Sequence, residues 1–228
     1  MPSTPISVIV PMLNEAAGIE RTLRLLMPLR ARGAEIIVVD GGSTDDSTAV
    51  ADALADLVLA SARGRAQQMN MGAAAARGEV LLFLHADTML PGEADGLIAA
   101  GLARTQRAWG RFDVTIEGRA AMLDVVARMM NLRSRLSGIA TGDQAIFVRR
   151  DCFFAVGAFP PQLLMEDIEL SRRLKAVSAP LCLRECVTTS GRRWEKHGVW
   201  RTIFLMWRLR LRYWLGTRAD ILARVYHP

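Results

Sequence analysis

Short apolar runs recur along the first ~105 positions, each followed by a polar break and then by helical spacing. Ile6-Ser7-Val8-Ile9-Val10 reads as a buried strand, and Pro11-Met12-Leu13-Asn14-Glu15 as the turn after it. From Ala16 to Met27, Ile19, Leu23 and Leu26 keep the spacing of one helix face, and Pro28 and Gly33 limit that helix. Glu35 to Val39 reads as a second strand, ending in the loop Asp40-Gly41-Gly42-Ser43-Thr44-Asp45-Asp46-Ser47. A helix to about Ala55, a short strand from Leu57 to Leu59 and a helix opened by Arg63-Gly64-Arg65 follow. Val80 to Leu84 is the next strand, and Pro91-Gly92 introduces another helix. This alternation predicts a parallel α/β sheet whose strands are buried on both faces.

The second half is less regular. It predicts strands over Trp109 to Ile116 and Ala145 to Val148, and helices over Arg119 to Leu136 and Glu166 to Ala176. Gly198 to Gly216 reads as one amphipathic helix, followed by an ordered tail from Ala219 to Tyr226. Trp200, Ile203, Phe204, Trp207, Leu211 and Trp214 share one face of it, and Leu205, Met206, Leu209 and Tyr213 the opposite face. The expectation is one domain over 1–228, with a nucleotide-binding half (1–105), an acceptor and catalytic half (106–197) and a C-terminal helix and tail (198–228).

Composition narrows the setting. The formal charge is +6, with much of the basic excess in arginine, which favours anionic partners. The three cysteines form no zinc pattern or disulfide framework, read as small buried hydrophobes and fit a reduced, cytosolic environment. Met1-Pro2-Ser3-Thr4-Pro5 has no basic leader character, and no apolar run approaches the ~20 residues of a membrane span. The expected location is cytoplasmic, extending to the inner face of the membrane. Two apolar faces on the 198–216 helix leave three partners open for the second face: a membrane surface, a second copy, or the tail.

Several chemistries are excluded. The first strand is not followed by Gly-x-Gly-x-x-Gly, and the chain has neither a Walker A sequence nor a Gly-x-Ser-x-Gly elbow. What remains is carboxylates at strand ends. Asn14-Glu15, Asp40 and Asp87 converge on the carboxyl edge of a parallel sheet, where such folds bind ligands. The glycines after Asp40 allow close backbone approach, and Arg63 and Arg65 are placed to meet phosphate oxygens. Ser43 and Asp45 also read as helix caps.

Val8-Ile9-Val10-Pro11-x-x-Asn14-Glu15, Val38-Val39-Asp40-Gly41-Gly42-Ser43-Thr44-Asp45, Asn70-x-Gly72 and His85-Ala86-Asp87 together resemble the family-two glycosyltransferases. Glu166-Asp167-x-Glu169-Leu170-x-x-Arg173 resembles their catalytic-base motif, and Ser190-Gly191-Arg192-Arg193-Trp194 a degenerate Gln-x-x-Arg-Trp element. Arg193-Trp194-x-Lys196-His197-Gly198 is similar to a small bacterial subset, some of it associated with arsenosugar biosynthesis.

The resemblance implies a GT-A-type, Rossmann-like three-layer sandwich and an inverting transfer of sugar from a UDP- or GDP-sugar to an unknown acceptor hydroxyl, with no nucleic-acid partner. It implies that Asp40 holds the base or ribose with Pro11, Asn14, Glu15, Ser43 and Asn70 around it. Asp87 would bind Mn²⁺ or Mg²⁺ bridging the diphosphate. Asp167, beside Glu166, would be the general base. Arg192, Arg193 and Trp194 would clamp diphosphate or acceptor, and Gly142-Asp143-Gln144 reads as an acceptor-side loop or a plain turn. The family's Asp-x-Asp is here His85-Ala86-Asp87, which places His85 on the nucleotide or in packing rather than on the metal. His197 reads equally as a further metal ligand, a diphosphate contact or a surface histidine. Two rivals stand beside this reading: a non-catalytic nucleotide-sugar or membrane-surface scaffold, and a sugar nucleotidyltransferase.

Overall fold

A computed structural model describes residues 5–226; Met1 to Thr4, part of the supposed leader-free start, lie outside the described residues. Strands β1 (Ile6–Met12), β2 (Glu35–Asp40), β3 (Leu57–Ala60) and β4 (Val80–Phe83) pair in parallel in the order β3-β2-β1-β4. All of β1 is buried. Ile6, Val8, Val10 and Met12 enter one core cluster with Ile36 and Val38, while Ile9 enters the other with Ile37 and Val39. Helices α1 (Ala16–Ala31), α2 (Ser47–Leu54) and α4 (Ala94–Thr105) cover the first face. Helices α3 (Arg65–Ala75), α6 (Arg150–Ala155) and α7 (Glu166–Val177) cover the second. A sheet covered on both faces explains why these strands read as continuous apolar runs.

Helix α1 passes through Pro28 to Ala31, beyond the expected stop. The Pro28 ring lies exposed while Leu29 is fully buried, so core packing holds the last turn despite one missing hydrogen bond. Gly72 sets how closely α3 approaches the sheet. A Cβ there would stand 2.5 Å from Ile9 Cγ2. Gly72→Ala is therefore expected to cost about 1–3 kcal/mol of stability by overpacking, read as a lower denaturant midpoint with unchanged slope.

The rest of the sheet is mixed. β7 (Phe147–Arg149) runs antiparallel between β4 and β6 (Trp109–Glu117). Beyond β6 come β8 (Leu181–Ser190), parallel to it, and the short β5 (Thr88–Met89), antiparallel to β8. Strand β8 escaped the sequence pattern because Arg184-Glu185-Cys186 is exposed and breaks the alternation, where the β6–β8 register also shifts. Cys186 is exposed and Cys182 only partly covered, so only Cys152 fits the expectation of a buried thiol.

Helix α5 (Met122–Ser137) packs along β6. The helix expected over 198–216 is present as a single helix, preceded by a short one that the sequence pattern did not show and followed by a helical tail. In chain order these are α8 (Arg192–His197), α9 (Val199–Trp214) and α10 (Ala219–Tyr226). Gly198, at φ +82°, separates α8 from α9, and Gly216, at φ +88°, lies between α9 and α10. Leu209 of α9 and Leu222 of α10 are fully buried against Met165 and Ile168, with Leu205, Met206 and Tyr213 around them. This is the second of the two expected faces; Trp200, Phe204, Trp207, Leu211 and Trp214 remain exposed.

Candidate active site

A cavity of about 500 Å³ opens at the carboxyl ends of β1 and β4. A second, of about 490 Å³, lies where the chain enters β4, around Gly78 and Arg150. Only the first gathers the strand-end residues, so it is the candidate site.

Two loops at one side of it are stitched together by their own polar groups. Asp40 accepts hydrogen bonds from the Gly42 and Ser43 amides and from Ser43 Oγ at 2.5 Å. The Asn14 amide donates to Ser43 Oγ, and Asn14 Oδ1 accepts from the Thr44 amide. The Glu15 and Ala16 amides donate to Ser47 Oγ and Asp45 Oδ2. Asn14 holds φ +52°, an uncommon conformation that these bonds stabilise. Asp40, Asn14 and Ser43 thus build the loops and do not line the cavity, whereas Pro11 and Glu15 do.

Asn70 likewise lies off the cavity: its amide exchanges hydrogen bonds with the Phe159 backbone at 2.9 and 3.0 Å, tying α3 to the segment that leads into α7. Gln68, absent from the sequence reading, is buried in the lining. Its Nε2 donates to Met12 O and Val39 O, both at 2.8 Å, joining the ends of β1 and β2. No sequence signal set it apart from Gln67 and Asn70, the other amides of α3.

Beyond β4, His85, Ala86 and Asp87 all line the cavity. Thr22 Oγ1 donates to Ala86 O at 2.7 Å, and β5 starts directly after Asp87. Because β5 pairs with Thr188 and Thr189, the end of β8 and α8 are brought to Asp87. The Arg192 guanidinium stands 2.9 Å from Glu15 and 3.5 Å from Asp87. Arg193 and Trp194 line the cavity, with the Arg193 guanidinium 3.6 Å from the centre of the Tyr226 ring. Tyr226, from the expected tail, is a further lining residue that no local motif announced. His197 is exposed at the end of α8 and is not brought to the cavity.

On the opposite side, Gly142, Asp143 and Gln144 form a 3₁₀ turn. Gln144 is fully buried, reaching the Asn131 side chain and closing a capping box with Thr141. Gly142 and Asp143 face the cavity. The Gly142 amide donates to Asp167 Oδ2 at 3.0 Å, and the Ile168 amide to Oδ1 at 2.7 Å. His85 Nδ1 stands 3.2 Å from Asp143, and a Cβ on Gly142 would meet His85 Nε2 at 2.3 Å. His85, two residues before Asp87 in the chain, thus packs on Gly142, whose amide in turn holds Asp167.

Glu166 and Asp167 open α7 after Met165, which holds φ +65°. Burial, and then the neighbouring Asp167 charge, push the Glu166 pKa up, while Arg65, 4.0 Å away, pulls against them. Arg63 and Arg65 complete the lining near this end.

The model of the Glycosyl transferase family 2 matches residues 7–156, more than half of the chain. The chain belongs to that family. Two Mycobacterium tuberculosis proteins support the placement. One, described as an uncharacterized glycosyltransferase, is 40% identical over 91 residues (37% of this chain, 35% of its own length). The other, an uncharacterized protein, is 38% identical over 98 residues (40% of this chain, 31% of its own length). These matches thus span about a third of those relatives.

Solved structures share the fold. The mannosyltransferase PcManGT from Pyrobaculum calidifontis, in complex with GDP-Man and Mn²⁺, is 22% identical with a TM-score of 0.64, covering 90% of this chain and 60% of that one. S. aureus TarS 1-349 in complex with UDP-GlcNAc is 18% identical with a TM-score of 0.65, covering 81% and 58%. Glucosyl-3-phosphoglycerate synthase from Mycobacterium tuberculosis is 21% identical with a TM-score of 0.60, covering 81% and 70%. The GT-A-type, mainly parallel α/β architecture is common to all of them.

Among the described residues, no three His, Cys, Asp or Glu groups gather closely enough to hold a metal unaided. Asp87 and Glu15 nevertheless face one cation, Arg192, from two sides. Two carboxylates that share a positive centre are a donor set suited to Mg²⁺ or Mn²⁺ when a diphosphate supplies further oxygens.

Proposed function

We propose that this chain transfers a sugar from a nucleotide-diphospho-sugar to an acceptor hydroxyl, with inversion at the anomeric carbon and with Asp167 as general base. The observation that carries the reading is the shared cavity of Asp87 and Asp167, with His85 and Gly142 between them. The nucleoside would rest on the loops organised by Asp40 and Asn14, with Pro11 and Gln68 beneath it. Asp87 and Glu15 would hold a divalent ion, whose chemistry is to neutralise charge on the departing diphosphate. Arg63, Arg192 and Arg193 are the cations available to the diphosphate, and displacement of Arg192 from the two carboxylates would accompany ion binding.

Asp167 would accept the acceptor proton as oxygen attacks the anomeric carbon and the bond to the diphosphate breaks. Two backbone amides orient its carboxylate, so the base is aimed before substrate arrives. Glu166, buried and raised in pKa, contributes to the field at Asp167 rather than meeting the acceptor. A thermal-shift panel of UDP- and GDP-sugars tests donor binding: one nucleotide class should stabilise the protein, more so with Mn²⁺. No stabilisation by either class would contradict the reading.

We further propose that the exposed apolar faces of α5 and α9 rest on an anionic lipid surface. Val125, Met129, Leu132 and Leu136 on α5, and Trp200, Phe204, Trp207, Leu211 and Trp214 on α9, keep helical spacing in the open. The two helices meet through Val126, Met130, Val199 and Ile203. Their flanking charges are arginines, Arg128, Arg135, Arg201 and Arg208 among them, with Asp124 as the sole acid on either helix. Such a face repels a second copy of itself and attracts acidic headgroups. No helix among the described residues is long and apolar enough to cross a membrane, so contact would be at the interface. The protein should float with vesicles containing anionic phospholipid and be released by salt. Absence of flotation together with a dimer in light scattering would overturn the membrane assignment.

A further inference from the structure

Among the described residues, two guanidiniums near the Asp167 side of the fold make no ion pair, one in the cavity lining and one behind it. Arg210, on α9, lines the cavity, and Arg133 comes from α5, which packs against α9. Arg133 Nη2 is buried and has no hydrogen-bond partner. Among the described residues, neither guanidinium makes a hydrogen bond or an ion pair. Burial and the nearby Arg210 charge bring the Arg133 pKa down to about 10, and Asp167 and Asp143 offset this only in part. Burial lowers Arg210 as well, against the same two acids. Desolvated cations without partners are costly, and proteins keep them where a ligand supplies the missing charge.

The donor end already has its own cation. Arg192 pairs with Glu15 and Asp87, whereas Arg210 shares the cavity lining with Asp167 and follows Leu209, which packs on Met165 and Ile168 to either side of the Glu166-Asp167 pair. The missing anion therefore belongs beside the base. We propose that Arg133 and Arg210 form a subsite for a phosphate group carried by the acceptor, close to the hydroxyl that Asp167 deprotonates. The subsite rests on the reading of Asp167 as the acceptor-side base. Two guanidiniums match a tetrahedral dianion, which offers an oxygen pair to each.

Inorganic phosphate, titrated into the full chain without donor, tests the subsite directly. Wild type should bind it. Arg133→Met and Arg210→Met should each weaken binding about tenfold or more, while Arg192→Gln should leave it within about twofold. Both Met variants should melt at or above the wild-type temperature without phosphate, because each removes an uncompensated buried charge. Arg210→Lys provides a milder control, retaining charge but losing the fork, and should bind with intermediate affinity.

Competition identifies the source of the group. Displacement by glycerol 3-phosphate indicates a soluble acceptor, and displacement by phosphatidic acid in mixed micelles a lipid-borne one. Displacement by neither, no binding by wild type, or equal binding by the Met variants overturns the proposal. Donor binding is read separately, so nucleotide-sugar stabilisation without phosphate binding would remove this subsite and leave the transferase reading intact.

Discussion

Asp167→Asn is expected to lower sugar transfer, followed as nucleoside diphosphate released from the stabilising donor, by about 10²–10⁴-fold, with donor binding unchanged. The change is nearly isosteric. The asparagine side-chain oxygen can still accept the Gly142 amide, so the turn at 142–144 should keep its place. What disappears is the group that takes the acceptor proton. A loss confined to kcat, with unaltered thermal stabilisation by donor, separates a base from a residue that only supports the cavity wall. Turnover close to wild type would remove Asp167 from that role.

Gly142→Ala is the second change with a large expected effect. It adds one methyl group to the cavity wall, and the added carbon would meet His85 Nε2 at 2.3 Å and Cε1 at 2.6 Å. The His85 side chain is only 12% exposed and is bracketed by Asp143, so it has little room to withdraw. Either the turn or the His85-Ala86-Asp87 segment must move. A shift of about 1 Å between a base and a reacting centre costs on the order of 10²-fold. The expected result is a loss of that order in turnover, with a stability cost of about 1–3 kcal/mol from overpacking. His85→Ala in the same chain should recover part of the turnover by vacating the space. If the double variant is no better than Gly142→Ala, the steric explanation fails.

The nucleotide half was legible because its signals are local. Continuous apolar strands follow from burial on both faces, and each ends in a polar loop at one sheet edge. Asp40 shows the limit of that logic. Its strand-end position was clear, but its hydrogen bonds turn inward to Gly42 and Ser43, a choice set by the turn and not by residue type. Asn70 was placed correctly on α3, although its partner, Phe159, is distant in sequence. Long-range pairing hid most of what was missed. Strand β8 alternates only on either side of its exposed charged stretch, and α10 returns Tyr226 to the cavity through packing of Leu222 that no periodicity could locate. Arg133 and Arg210 belong to different helices, α5 and α9, which pack together only in the folded chain.

The central claim is that a donor lies with its diphosphate at Asp87 and its anomeric carbon toward Asp167. A crystal structure of the full chain with the stabilising nucleotide-sugar and Mn²⁺ tests it most directly. The account expects the diphosphate beside Asp87 and Glu15, with the Asp167 carboxylate facing the side of the anomeric carbon opposite the departing oxygen. A donor bound in the Gly78–Arg150 cavity, or a sugar whose reacting carbon is turned away from Asp167, would contradict it.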